Sequence, residues 1–297
     1  MKQRPHVRFP VASRSAWAVA AAGVLSAALF SSAVHAQDKD FSPEKLAWKE
    51  GPTTAKLGKV AQIELPKGFQ ALGPKDTRQL LEALENPTSG AELGLVAPSS
   101  GDDEWFVVFM FDEVGYVEDK EKDSLDAEAM LKTIRASSKE GNKERKKRGW
   151  PTLEVIGWTT KPQYDPETQN LEWAVEFESQ GHPVVNHNTR LLGRYGVMEV
   201  SLVADPADLP SALPEFKHLL KGYSFTSGNR YAEFESGDKI ASYGLAALVT
   251  GGAAAVALKT GVLQKFWKLI VLGGIAVLAG MKRFFGRLFG RSSPAGR

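Results

Sequence analysis

Acidic side chains stop short of both ends of this chain, and that limits which part of it can fold as a domain in water. Residues 1–36 carry four basic groups, Lys2, Arg4, Arg8 and Arg14, and no acid. Residues 37–239 hold all 35 acids and 25 of the 37 bases, a net charge of −10. Residues 240–297 carry eight bases and no acid. A basic start, an acidic middle and a basic, apolar end describe a protein exported across a membrane and held there by its tail. The folding problem is thereby confined to about 200 residues, enough for one domain with its own core.

The first 36 residues read as a Sec-type signal peptide. A basic region to Arg14 precedes an apolar stretch from Ala16 to Phe30, and Val34-His35-Ala36 puts a small residue at the cleavage edge. The apolar stretch is short for a bilayer span, so an uncleaved anchor is the weaker alternative. Without an Arg-Arg pair, a twin-arginine signal is disfavoured. Cysteine is absent, which excludes disulfides, thiolate metal sites, cysteine nucleophiles and a lipobox lipid.

At the other end, residues 240–258 form a 19-residue run without charge. As a helix it would measure ~28 Å, close to the hydrocarbon thickness, and a transmembrane helix is expected there. Ala247, Gly251 and Ala255 recur every four residues, a small-xxx-small spacing that lets helices approach closely. A basic loop, 259–268, leads to a second membrane helix at 269–281, crossing or re-entrant. A basic amphipathic tail, 282–297, follows, with Phe284, Phe285 and Leu288 on one face and Arg283, Arg287 and Arg291 on another. The positive-inside rule wants both basic groups in the cytoplasm, whereas a full hairpin would send the second one out. One crossing at 240–258, with 269–281 shallow, is the favoured resolution. Membrane lipid is the expected partner of this region, the bacterial inner membrane the expected location, and the periplasm the expected compartment of the main domain. Nucleic acid is not expected as a partner, because the basic cluster directly follows apolar segments.

Between the ends, 37–55 reads as a leader with little periodicity, and 56–239 as an α+β domain expected to fold without the tail. Residues 60–65 alternate apolar and polar and stop at Pro66, as a half-buried strand does. Residues 74–85 read as a short helix, 105–117 as a central strand, and Ser124 as the cap of a helix running to about Arg148. Strands are expected at 153–160, 171–179, 183–192 and 196–204. The turns between them fall at Pro162–Pro166, Gln180–Pro183 and Arg194–Gly196. Short turns imply antiparallel neighbours, and 209–220 closes the domain as a helix. The predicted fold is an antiparallel sheet with packed helices, followed by C-terminal membrane helices.

Chemistry is harder to find. His182, His187 and His218 show no metal-ligand spacing and read as surface or turn residues. No nucleophile elbow, phosphate loop or cofactor motif is present, so no catalytic residue, metal or cofactor is assigned. The basic run 143–148 reads as a solvated helix end; contact with anionic headgroups or an acidic partner is the alternative. Trp173 alternates with Val175 and Phe177 and reads as core. Trp158 and Tyr164 flank an expected turn. With Asp165, Asn186 and Arg194 they form the candidate binding set.

The residues Asn142, Arg145 and Gly149, then Gly157-Trp158, Pro162-Gln163-Tyr164-Asp165, Leu171-Glu172-Trp173-Ala174, Asn186 and Leu192-Gly193-Arg194-Tyr195-Gly196 form a pattern. With Asn229-Arg230-Tyr231-Ala232-Glu233-Phe234, Asp238-Lys239 and Tyr243-Gly244-Leu245, that pattern resembles a bacterial family of uncharacterised membrane-anchored proteins, domain of unknown function 2167. The resemblance implies export and anchoring and brings no catalytic residues with it. The order Ile63-Glu64-Leu65-Pro66-Lys67-Gly68-Phe69, helix, sheet, helix is similar at fold level to the Mog1/PsbP-like sandwich. The expected function is a non-enzymatic binding module with an envelope protein as possible partner. The alternative is an enzyme of unrecognised type.

Overall fold

Near-continuous apolar runs along the central strands dictate a sheet with two apolar faces, and the fold is built by covering both. A computed structural model describes residues 41–100 and 103–251. Along the chain run β1 (Lys49–Glu50), β2 (Thr53–Leu57), β3 (Ala61–Leu65), β4 (Phe69–Leu72), α1 (Pro74–Ala83), β5 (Glu92–Pro98), β6 (Trp105–Asp112) and α2 (Ala127–Lys147). Then come β7 (Glu154–Asp165), β8 (Asn170–Ser179), β9 (His182–Leu192), β10 (Val197–Ala204), α3 (Leu209–Leu220), β11 (Tyr223–Phe225) and α4 (Leu245–Thr250). One sheet has the order β1-β4-β5-β6-β10-β9-β8-β7, and a smaller one the order β11-β3-β2. All neighbouring pairs are antiparallel. The fold is α+β, with a large antiparallel sheet and few helices.

Strand β6 is apolar on both sides because it is covered on both sides. Phe106, Val108 and Met110 enter a core beneath α1, α2 and α4, while Trp105, Val107 and Phe109 enter a second core shared with α3 and the small sheet. The side chains of α2 that reach the first core, Met130 and Ile134, stand four residues apart, one helical turn. Asp126 caps this helix, accepting from the Glu128 and Ala129 amides at 3.1 and 3.0 Å, so Ser124 is not the cap.

Three further expectations change. The turn placed at Pro162–Pro166 is the second half of β7, and the hairpin instead turns through Pro166–Gln169. β7 is an edge strand with register shifts, where a proline costs no ladder hydrogen bond on its open side. The stretch read as a leader contains β1 and most of β2. The segment read as a membrane helix from Ile240 is, over its described part, a piece of the domain. Residues 240–244 are not helical, and α4 spans six residues before Gly251, at φ 111°, ends it. Leu245, Leu248 and Val249 are 0, 1 and 5% exposed in the first core. No helix among the described residues is long and apolar enough to cross a membrane. The small-residue row therefore does not run along one helix through Gly251. Residues 1–36, 259–268, 269–281 and 282–297 lie outside the described residues.

The chain reaches α4 along the end of the sheet. Arg194 N donates to Asn229 O at 2.9 Å, Tyr116 N to Lys239 O at 2.8 Å, and Ala241 N to Tyr116 O at 2.8 Å. Gly115 sits at φ 100°, and a Cβ there would run into the Lys239 carbonyl, so only glycine admits this return path.

Candidate functional site

The five residues singled out from the sequence do not meet. Trp158, on β7, donates its indole N–H to Ala127 O at 3.1 Å and anchors the start of α2. Tyr164, near the end of the same strand, donates to Asp119 Oδ2 at 3.3 Å. Asp165 is a turn residue: its carboxylate accepts from Glu167 N at 2.9 Å and Thr168 Oγ1 at 2.8 Å, which holds its pKa below the usual range. Arg194 grips Asp238 through Nε at 2.7 Å and Nη2 at 3.1 Å, and reaches Glu235 at 3.1 Å. That fork fastens the returning segment, and Arg194→Gln is expected to speed amide hydrogen exchange at Glu235 and Tyr116, read by mass spectrometry, while the rest of the sheet is unchanged. Asn186 alone of the five lies in the interior, on β9, with its Oδ1 unpartnered.

Asn186 belongs to a polar stripe on the sheet face beneath α2. Alternation on β9 sends Asn186, Asn188 and Arg190 to the same side as the core residues Val184 and Leu192. Register then places Arg190 opposite Glu199 and Asn188 opposite Ser201 on β10. Ser201 Oγ donates to Asn188 Oδ1 at 2.9 Å, and Arg190 Nη2 lies 3.3 Å from Glu199 Oε2. The Arg190 guanidinium carbon sits 4.7 Å from the centre of the Trp173 ring on β8. Asp112, at the end of β6, accepts from Tyr243 OH at 3.0 Å.

Above this stripe is a cavity of about 70 Å³. Its floor includes Arg190, Glu199, Asp112 and Asn188; its roof is α2, through Ile134, Ser137, Gly141 and Arg145; Val249, Thr250 and Gly251 form one wall. Arg145 is 2% exposed and Arg190 4%. Arg145 donates its Nε to Pro151 O, but its Nη1 and Nη2 have no partner. Arg190 likewise has unpartnered Nε and Nη1, and Ser137 Oγ is unpartnered too. Two guanidinium forks with open donors thus line one buried space.

Electrostatics make the arrangement costly. Burial pushes the Arg145 guanidinium down to about 10, with Glu85 opposing the shift. Burial also lowers Arg190 despite Glu199 and Asp112 nearby, and raises the Glu199 carboxyl despite Arg190. Asp112 is raised by burial against the Tyr243 hydrogen bond. In each group desolvation outweighs the partner, so the cluster does not earn its place through stability.

On the opposite face of β9, His187 is buried rather than at the surface. Its Nε2 lies 3.7 Å from Glu172, which also faces Lys217 at 3.4 Å, and together they hold Glu172 below the usual carboxylate range. No group of three or more metal-ligating side chains occurs among the described residues.

Sequence reasoning missed Arg145, Arg190 and Glu199. Arg145 was hidden in a run read as solvated, yet it falls on the α2 face of Ile134, Ser137 and Gly141, a spacing visible in the sequence. The motif residue Asn142 holds this corner together: its Nδ2 donates to Leu153 O at 2.7 Å, and Leu153 N donates to its Oδ1 at 2.8 Å.

A search of curated proteins finds no match to the sequence. Among solved structures, the chain is similar to cyanobacterial PsbP (CyanoP) from Synechocystis sp. PCC 6803, with 6% identity over 59% of this chain and 92% of that one, at a TM-score of 0.36. It is also similar to a protein of unknown function from Pseudomonas aeruginosa, with 14% identity over 57% of this chain and 93% of that one, at a TM-score of 0.24. Residues 49–282, from the first strand of the large sheet to well beyond α4, match the family described as protein of unknown function, DUF2167, and the chain belongs to that family.

Proposed function

We propose that this chain is a non-enzymatic binding module of the bacterial envelope, exported by residues 1–36 and held at the inner membrane by residues beyond α4. Its domain stands in the periplasm and takes a small ligand into the cavity beneath α2. The observation that carries this reading is the pair of buried arginines with open N–H groups in one cavity. Unpaired, desolvated donors are expensive, and such expense is expected where a ligand completes the hydrogen bonding. The test is recovery: full-length protein purified from bacterial membranes is denatured, and released small molecules are identified by mass spectrometry. A compound recovered in near-equal amount to protein supports the reading, and release of no compound opposes it. Glu199 and Asp112, half-buried carboxyls with raised pKa, favour a second reading as an enzyme. Turnover of the recovered compound, rather than its return unaltered, would establish that alternative.

The burial of α4 bears on anchoring. With residues through Gly251 in the domain, only seven apolar residues, Gly252 to Leu258, remain before Lys259. As a helix they span ~10 Å, far short of a bilayer. The crossing then shifts to the second segment, between Phe266 and Met281, with Lys268 snorkelling at the periplasmic side and local thinning meeting its short length. The five basic groups from Lys282 onward then stay in the cytoplasm, as the positive-inside rule wants, and Lys259, Lys265 and Lys268 stand on the periplasmic side. In a chain without cysteine, Thr260→Cys is expected to react with a membrane-impermeant thiol reagent once the outer membrane is permeabilised, and Ser293→Cys only after the inner membrane is opened. Protection of Thr260→Cys would return the crossing to 240–258.

A further inference from the structure

We infer that the cavity is a site for a small monocarboxylate, its carboxylate held between Arg145 and Arg190 and a short apolar body lodged against Met110, Ile134, Trp173 and Phe177. The inference rests on the binding reading above and narrows it to a chemical class.

The donors set the head group. A guanidinium presents its N–H groups in a planar fork that matches the two oxygens of a carboxylate. Arg145 offers both Nη groups, and Arg190 offers Nε and Nη1. Ser137 Oγ, also unpartnered, is a further donor on the roof. Asn188 is already engaged with Ser201 and with the Asn186 carbonyl, at 2.9 and 3.1 Å.

Charge sets the valence. Two cations and two carboxyls line the space. Glu199 lies 3.3 Å from Arg190 and pairs with it, while Arg145 has the Pro151 carbonyl as its hydrogen-bond partner and no carboxylate. One positive charge is then left unpaired. A single negative charge neutralises it, a doubly charged ligand leaves an excess buried anion, and a neutral ligand leaves a buried cation unpaired.

Volume and lining set the body. A cavity of about 70 Å³ has room for several water-sized groups. That suits an acid of three to five carbons. Leu153 and Val175 complete the apolar walls. Gly141 contributes to the opening from within α2, where glycine costs about 1 kcal/mol relative to alanine. A helix interior that accepts this penalty at the roof of a cavity leaves space that a side chain would fill.

The experiment uses the full chain in lipid nanodiscs with four probes: butanoate, 1-butanol, succinate and inorganic phosphate. Butanoate is expected to bind at one per chain by calorimetry and to raise the unfolding temperature with concentration. The other three should bind at least tenfold more weakly. Arg145→Met should weaken butanoate at least tenfold and leave 1-butanol unaffected or tighter, and Arg145→Lys should recover part of the butanoate affinity. Gly141→Leu, which fills the roof while favouring the helix, should abolish butanoate binding with the circular dichroism spectrum of the folded protein retained. Tighter binding of 1-butanol, succinate or phosphate than of butanoate overturns the class, and so does butanoate binding that survives Gly141→Leu. The recovery experiment decides the broader reading separately. A neutral or doubly charged compound released from the protein overturns the class alone, and release of no compound overturns the binding reading itself.

Discussion

A chain that stops at Lys239 is expected to lose its cooperative unfolding transition, while one that stops at Gly251 keeps it. The first loses α4 and the segment leading to it. Leu245, Leu248 and Val249 leave the first core, and each buried side chain of this size contributes about 1.5–3 kcal/mol. Their sum, roughly 5–9 kcal/mol as an upper estimate, is comparable to the whole stability of a domain, about 5–15 kcal/mol. Two polar anchors go with them. Asp112 loses the Tyr243 hydroxyl at 3.0 Å, and Glu121 Oε2 loses the Ala246 amide at 3.0 Å. The half-buried Asp112 carboxyl is then left with one donor fewer. Both chains would begin at Gln37 and be unfolded in urea with tryptophan fluorescence as the readout. A sharp transition for the shorter chain, with a midpoint equal to that of the longer one, would show that α4 contributes nothing and that the domain ends at Lys239.

That boundary marks where the sequence stops being legible. A run of 19 uncharged residues is compatible with a membrane span and with a buried helix, because both solvents are apolar. The groups that decide the matter, Glu121 and Asp112, lie more than a hundred positions upstream of their partners. By contrast, the hairpins from β7 to β10 could be read because alternation and turn residues are local signals. Gln180 and Gly181 form the β8–β9 turn, both at positive φ. β7 extended beyond its expected end because an edge strand tolerates Pro162 where a central strand would not. The cavity was concealed by the habit of reading charge as solvated. On β9, alternation already places Arg190 between Asn188 and Leu192 on a core face, and on β10 it places Glu199 between Val197 and Ser201. A charge at an inward position of a buried strand is the sequence signal that marks this site. The candidates drawn from loops were instead the fasteners of turns and returning segments, as Asp165 and Arg194 show.

The Arg190–Glu199 pair supplies the second large effect. Arg190→Met is expected to cost about 3 kcal/mol, because it leaves the half-buried Glu199 carboxylate without its cation. Adding Glu199→Leu should recover most of that loss and can exceed the parent, since an apolar pair removes two desolvated charges. The interaction term of this double-mutant cycle therefore has the sign of a pair whose members are costly singly. The pH dependence follows from protons bound. Glu199 and Asp112 already have raised carboxyl pKa values in the fold, so the native state holds more protons than the unfolded one above the ordinary carboxylate range. The stability these two carboxyls contribute accordingly falls as pH rises through their folded pKa values and levels off above them, whereas the opposite contribution of Asp165, Glu172 and Asp238 is complete above the ordinary carboxylate range. Without Arg190 the Glu199 carboxyl rises further, so the window widens and Arg190→Met loses more stability between pH 5 and pH 7.5 than the parent does. The double variant keeps only the Asp112 contribution and should show the shallowest slope of the three. Urea unfolding of the 37–251 chain at both pH values measures all of this. A double variant as unstable as Arg190→Met alone would mean that Arg190 acts through the Trp173 ring, 4.7 Å away, rather than through Glu199. In that case the guanidinium would be chiefly a structural support of the sheet.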